Sequence, residues 1–423
     1  MSDHAARPPA ADSPITVIGA GVIGLAIALR LARGGHDVTI IDRQAPGRGC
    51  SFGNAGRIAN ECIEPLASPR TLRDAPRYLL AADGALSIRA RYALRAAPWL
   101  LRFLLASLPR RHAGGVAALA ALQEHSLEAF ARLVEDAGCE ALLKARGHLV
   151  VSEHPDAGAL LRAQQIGFER HGIVAKVMQR HDVQRIAPGL SQELACGLYF
   201  PDTAHVVDPY RLCRALARAG ERHGARIVRD DVRLIAPQAD GSFVLQGACS
   251  RHAAGRLVVA AGAWSRPLAR QLGHRLPLDT ERGYHLTLGG CNPDLRLPVT
   301  SLERHTVMTP MSDGLRITGF VEFGGLQLAP DPRRFAALRR HVNALLPGAE
   351  LSAATEWMGY RPSLPDHLPV IGRCRRHANA VLAFGHQHLG LTLSAITADI
   401  VDALFAGRPP PVDVTPFRCD RYD

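Results

Sequence analysis

The stretch ITVIGAGVIGLAIALRLARGGHDVTIIDR, Ile15 to Arg43, limits what this chain can fold into more than any other. Ile15 to Ile18 reads as a buried parallel strand, Val22 to Arg33 as a helix ended by Gly34 and Gly35, and Val38 to Ile41 as a second strand closed by Asp42. Between the first strand and the helix, Gly19, Gly21 and Gly24 spell G-x-G-x-x-G. Gly19 permits the tight turn, Gly21 lets a pyrophosphate approach the backbone, and Gly24 lets the helix pack close to the strand. The helix start at Val22 and Ile23 offers free N–H groups and a partial positive charge to phosphates. Asp42 can accept hydrogen bonds from a ribose diol. The motif in this context predicts dinucleotide binding but does not separate FAD from NAD, and Arg43 beside Asp42 does not settle it.

Three later stretches suit a long, flat cofactor. GRGCSFGNAGRIA, Gly47 to Ala59, is rich in glycine and small polar residues; Cys50, Ser51, Asn54, Ala55 and Gly56 are its candidate contacts. Asp208 to Ala236 reads as a capped helix followed by strands, and Val232 within it is taken as a further contact. GRLVVAAGAWS reads as a buried strand, Leu257 to Ala260, with a small-residue turn in which Ala261, Gly262 and Trp264 can meet a dinucleotide. Near the end, Val381 to Phe384 reads as a strand, and Leu393, Ile396, Ile400 and Leu404 mark a helix. The loop between them, Gly385-His386-Gln387-His388-Leu389-Gly390-Leu391-Thr392, feeds a helix N-terminus, which favours negative charge such as that on a reduced flavin. Its two histidines have no partner at ligand spacing, so no metal is expected.

Composition excludes other classes. Hydrophobic content of 47% and zero mean hydropathy are those of a globular protein, and 423 residues suffice for two domains. A formal net charge of +11 invites a nucleic-acid reading. However, the arginines are dispersed, Lys144 and Lys176 are the only lysines, and no basic cluster is interleaved with aromatics. The nine cysteines form no C-x-x-C pair, which fits a reducing compartment. Residues 1–13 read as a flexible tail without an apolar signal core.

Taken together, VIGAGVIGLAIALRLARGGHDVTIIDR, CSFGNAGRIA, VVAAGAWS, ERGYHLTL, MGYRPSLPDHLPVIG and FGHQHLGLT resemble the D-amino-acid oxidase superfamily of FAD enzymes, and within it the bacterial D-amino-acid dehydrogenases. The resemblance implies an α/β fold: a discontinuous Rossmann-like FAD domain plus a substrate domain on a mostly antiparallel sheet with helices. The corresponding cuts are 14–75, 195–275 and 355–410 for the FAD domain, and 76–194 and 276–354 for the substrate domain. Some relatives attach flavin to a cysteine just before the segment matching Tyr360-Arg361-Pro362. That position is Gly359 here, so noncovalent FAD is expected.

The resemblance also implies the chemistry. The arginine of G-x-R-P clamps the substrate carboxylate in the family, and Arg361 matches it; a guanidinium fork gives two parallel bonds to a carboxylate. Tyr284 and His285 lie on an expected strand of the substrate domain, where alternation sends them to opposite faces. With His388 they complete the catalytic candidates. The implied reaction is oxidative deamination of a D-amino acid, such as D-proline or its 4-hydroxy derivative, by hydride transfer from Cα to flavin N5, with electrons passed to quinone or another respiratory acceptor. The alternatives are a glycine, sarcosine or L-imino-acid oxidase, and a flavin-carrying subunit of an electron-transfer complex. SIRARYALRAAPWLLRFLLASLPRRH, Ser87 to His112, alternates arginines with apolar residues. It reads as amphipathic helices covering the substrate domain, in preference to an interfacial segment that touches membrane. A cytoplasmic protein, at most peripheral on the inner face of a membrane, is the corresponding expectation.

Overall fold

The computed structural model describes residues 13–81, 83–290 and 294–422. The expected tail therefore lies outside the described residues except for Ser13. Ile15–Ile18 is wholly buried and pairs in parallel with Val38–Asp42 on one side and Arg256–Val259 on the other. Arg226–Arg229 extends the sheet beyond Val38–Asp42, while Ala380–Phe384 and the antiparallel Val370–Arg373 extend it beyond Arg256–Val259. Strands buried on both faces are near-continuous apolar runs, as a parallel sheet requires. The helix Val22–Arg33 packs against Pro209–Arg222 and Ser394–Phe405. Asp208 caps the Pro209–Arg222 helix by accepting the Arg211 N–H at 2.9 Å, with proline at the first helical position.

A second, mostly antiparallel sheet of nine strands lies elsewhere in the chain. Its long strands are Thr355–Ser363, Asp279–Gly289 and Gly314–Phe323, hydrogen-bonded in that order. The helix Pro332–Leu345 covers one face and buries Phe335, Leu338, Val342 and Leu345 against Leu286, Ile317 and Met308.

Sheet membership moves two of the expected cuts. Cys196–Phe200 pairs with His148–Ser152 and Lys176–Gln179, and Thr355–Ser363 pairs with Asp279–Gly289, so both strands belong to the nine-stranded sheet. The helices Pro109–Glu124 and Ser126–Asp136, expected with the substrate part, bury Leu119, Leu122, Phe130 and Leu133 in the same core as the fingerprint helix. Ion pairs Arg33–Asp136 and Arg132–Asp399 fasten the Ser126–Asp136 helix there. Short apolar strands and amphipathic helices carry no label for the core they join.

Tyr284 is a correction among the catalytic candidates. Its side chain is 1% exposed and packs on Phe335 in the helix-covered core. The hydroxyl donates to Glu322 Oε1 at 2.8 Å and accepts the Asp331 N–H at 3.0 Å. Glu322 also faces Arg282 at 3.0 Å, and both side chains are fully buried. This charged knot holds the start of the Pro332–Leu345 helix to the sheet, on the face that does not meet the fingerprint loops. Removing one member strands the rest in a low dielectric. Glu322→Ala is expected to cost about 3–5 kcal/mol and Tyr284→Phe about 1–3 kcal/mol in urea denaturation. A loss below ~1 kcal/mol for Glu322→Ala would show that the knot does not fasten the helix.

Candidate active site

At the C-terminal ends of the parallel strands the chain leaves a cleft of about 410 Å³. Ligands bind open parallel sheets at this edge. Gly19, with φ +113, backs directly onto the Ala260 carbonyl, and a β-carbon at Gly24 would overlap the Gly19 carbonyl. The turn is therefore closed by backbone-to-backbone packing. Asp42 Oδ2 accepts the Ala20 N–H at 2.7 Å and Oδ1 the Gln44 N–H at 2.8 Å, which fixes the carboxylate at the cleft edge. The Val22 N–H, expected to be free for phosphate, is taken by Ser51 Oγ at 3.0 Å. The Ser51 side chain also hydrogen-bonds the buried Cys213 thiol.

The expected cofactor contacts separate into two groups. From the first strand–helix unit, Gly19, Gly21, Val22, Ile23, Asp42 and Arg43 line the cleft. Cys50, Ser51 and Asn54 come from the glycine loop, and Val232, Ala261, Gly262 and Trp264 from the middle of the chain. His386, Gln387, Gly390 and Leu391 close the far end. Arg43 lies over the Trp264 ring at 4.1 Å, so this pair forms one wall. The others sit behind the lining. Gly56 packs on the Val206 carbonyl, and Ala55 precedes it in the same turn. Gly385 takes φ +83 at the end of its strand, and Leu389 is buried in the core. Thr392 Oγ1 accepts the Ala59 N–H at 2.9 Å, tying the last loop to the glycine loop. Gly359 offers no side chain for attachment and is covered by the Trp357 ring. Asp230, Asp231, Pro267 and Tyr360 also line the cleft; no local motif marked them.

The paired histidines of the last loop part company. His386 is buried, bonds Thr397 Oγ1 through Nε2 at 3.0 Å, and is held neutral by burial, its pKa pushed down to about 3. His388 carries exposed surface, yet burial first, then His367 and Arg361, push its imidazole down to about 3 as well. Between them Gln387 adopts φ +47, donates its backbone N–H to the Pro362 carbonyl at 3.0 Å, and buries an unpartnered Nε2 at the cleft. An orphaned buried donor at this place fits a polar ring edge such as that of a flavin.

The nine-stranded sheet supplies the opposite side. Arg361 pairs across the ladder with Glu281, and its guanidinium lies over Gly283, where any β-carbon would overlap it. A register shift on the other flank leaves one extra residue on Gly314–Phe323, and Phe320 there takes φ +67. The bulge turns the Phe320 carbonyl out of the ladder to accept Arg361 Nη1 at 2.9 Å. Among the described residues this is the guanidinium's one hydrogen bond. His285 is stacked on Trp357 with ring centroids 4.9 Å apart, and its Nδ1 donates to the Gly53 carbonyl at 3.1 Å. Burial and then Arg316 push its pKa down to about 3, so it is a neutral brace for the glycine loop. Glu281 and His367, 3.3 Å apart and both about 2–3% exposed, stand beside Arg361 and were not anticipated. Alternation from Gly283 back to Glu281 on the ERGYH strand was the available signal.

Known proteins resemble this chain over nearly its whole length. The profile of the DAO family, described as FAD dependent oxidoreductase, matches residues 14–404. A D-amino-acid oxidase of Bradyrhizobium diazoefficiens is 31% identical over 96% of this chain and 98% of its own. A D-amino acid dehydrogenase of Rhizobium rhizogenes is 30% identical over 96% and 99%. Among solved structures, a glycine oxidase from Geobacillus kaustophilus superposes with a TM-score of 0.73 at 22% identity, covering 97% of this chain and 98% of that one. An L-proline dehydrogenase from P. horikoshii does so with 0.74 at 18%, covering 97% and 98%. At those identities the two structures speak for the fold alone.

The tight turn makes a concrete test. Gly24→Ala places a methyl against the Gly19 carbonyl and must push the helix off the strand. Purified protein is expected to lose its FAD absorbance and to melt earlier. Full flavin content in that variant would mean that the close approach does not shape the cleft.

Proposed function

The chain belongs to the DAO family of FAD-dependent oxidoreductases, and from that premise we propose that it oxidises D-amino acids at the Cα–N bond and passes the electrons to quinone or another respiratory acceptor. The observation that carries this reading is the Arg361 guanidinium, oriented by one bond to Phe320 and laid across side-chain-free Gly283. A fork held in that plane suits a carboxylate, and a substrate carboxylate seated there would bring Cα between the sheet and the cleft. Bound FAD supplies the hydride acceptor. Burial first, then His367 and Arg361, keep His388 neutral at physiological pH, so it adds no like charge against a cationic substrate. The amine loses one proton to solvent and Cα loses its hydrogen with the bonding pair, giving an imine. Water then yields the 2-oxo acid and ammonia, whereas a cyclic substrate such as D-proline leaves as the cyclic imine. The relatives' names, D-amino-acid oxidase and D-amino acid dehydrogenase, support the stereochemistry and leave the acceptor open.

The segment Ser87 to His112 bears on that acceptor. One face of the Ala93–Ala106 helix packs inward through Trp99, whose Nε1 donates to the Ser363 carbonyl at 3.3 Å. The rest is open: Leu94 is 91% exposed and Leu101 59%, beside exposed Arg91, Arg95, Arg102, Arg110 and Arg111. Exposed leucines amid arginines suit an anionic bilayer surface, and they favour a peripheral contact near the quinone pool. Among the described residues no helix is long and apolar enough to cross a membrane. In flotation assays the protein is expected to follow phosphatidylglycerol vesicles over phosphatidylcholine, and Leu94→Glu with Leu101→Glu to weaken this about tenfold or more. Equal flotation of the double variant removes the membrane contact.

For the reaction, an anaerobic screen is expected to show flavin bleaching by a D-amino acid and not by its enantiomer, with dye or quinone reduced faster than oxygen. Faster bleaching by glycine, sarcosine or L-proline would transfer the assignment to the oxidase alternative, and no bleaching by any amino acid would favour a flavin-carrying subunit. Arg361→Ala is expected to lower kcat/KM by about two to four orders of magnitude, with Arg361→Lys restoring little and FAD content nearly unchanged. Loss of FAD as the variant's only defect would make Arg361 a structural residue.

A further inference from the structure

Glu281 is the residue that the proposed chemistry leaves unused. It stands directly across the ladder from Arg361, so the two side chains leave the same face of the sheet. It is also two residues from Gly283, over which the Arg361 guanidinium rests. One face of the sheet therefore carries a cation over Gly283 and an anion rooted at Glu281, two residues or about 6–7 Å away along the same strand.

The surroundings keep that anion charged and in place. His367, on the loop after Thr355–Ser363, holds its Nε2 3.3 Å from Glu281 Oε1. His367 itself packs edge-on against the stacked Trp99 and Phe103 rings, and its Nδ1 is buried without a hydrogen-bond partner. Burial alone would push the Glu281 carboxyl up, but His367 and Arg361 hold it below the usual carboxylate range. Asp279, on the same strand, is engaged by the Tyr92 hydroxyl at 2.8 Å. A buried carboxylate is costly to retain next to an arginine that must stay available, unless both charges have a shared use.

We propose that Glu281 is the amine-binding residue of the substrate site, and that Arg361 and Glu281 clamp the two charges of one zwitterion. The substrate class is α-amino or α-imino acids, and the inference rests on the amino-acid reading of the preceding section. The spacing selects this class. A carboxylate and its α-nitrogen are two bonds apart, and with charge-assisted hydrogen bonds of ~2.8 Å at each end they suit a guanidinium over Gly283 and a carboxylate rooted two residues along the same strand. A cation at the end of a lysine-like side chain would overshoot it. His367 is a positioning residue: it acts by fixing the Glu281 carboxylate.

The clamp has a signature in pH. A carboxylate beside the bound amine stabilises the ammonium form, so it raises the amine pKa in the complex. The amine must be neutral before Cα can release hydride. Removing the Glu281 charge should therefore move the ascending limb of kcat against pH to lower pH, although binding weakens.

The test compares D-proline with (R)-tetrahydrofuran-2-carboxylate, in which ring oxygen replaces the N–H group. Dissociation constants come from perturbation of the flavin spectrum, anaerobically for D-proline. Wild type is expected to prefer D-proline. In Glu281→Gln that preference should fall about 10- to 100-fold, with the oxygen analogue bound as before and the kcat limb displaced to lower pH. Glu281→Asp should recover part of the preference, and His367→Asn should lose part of it at unchanged FAD content. Retention of both the preference and the pH limb in a folded, FAD-loaded Glu281→Gln would overturn the clamp and leave amino-acid oxidation standing. Bleaching of wild type by amino acids without any preference for D-proline over the analogue would overturn the clamp alone. No preference and no bleaching by any amino acid would overturn the amino-acid reading and the clamp with it.

Discussion

Backbone packed on backbone at the mouth of the parallel sheet is the constraint from which the rest follows. Gly19 leaves no room for a β-carbon against Ala260, and Gly24 leaves none against Gly19. Two strands and a helix start therefore converge within the thickness of a peptide. The cleft exists because nothing but backbone is present there. Asp42 and Ser51 finish the turn by bonding Ala20 and Val22, so polar groups of the cleft are oriented by the same hydrogen bonds that close it. The last loop is then fitted to this edge from two sides, by Gln387 to Pro362 and by Ala59 to Thr392.

The first of these ties joins the last loop to the nine-stranded sheet. Pro362 follows Arg361, so the loop that closes the cleft and the strand that carries the guanidinium share a backbone hydrogen bond. The Phe320 bulge turns one carbonyl toward Arg361, and Gly283 removes the side chain that would occupy its place. A left-handed phenylalanine is strained, and here the strain is held by ladder pairs on either side of it. The histidines nearest this surface, His285, His386 and His388, are all neutral, through burial first, with Arg316 adding to it at His285 and His367 and Arg361 at His388, while Arg361 and Glu281 face one another as the charged pair.

The sequence by itself determined the dinucleotide turn to the residue. Gly19, Gly21, Gly24 and Asp42 stand where local strand, turn and helix geometry put them, and the expected helix Val22–Arg33 is the observed one. The same holds for the Ala380–Phe384 strand and the Ser394–Phe405 helix, because period and glycine placement act within a dozen residues. Only the tertiary structure decided which sheet Cys196–Phe200 and Thr355–Ser363 join, that Tyr284 turns into the helix-covered core, and that Glu281 comes to stand opposite Arg361. Pairing register, a one-residue bulge and the balance of buried charge depend on segments far apart in the chain. No single segment carries the energy that fixes them.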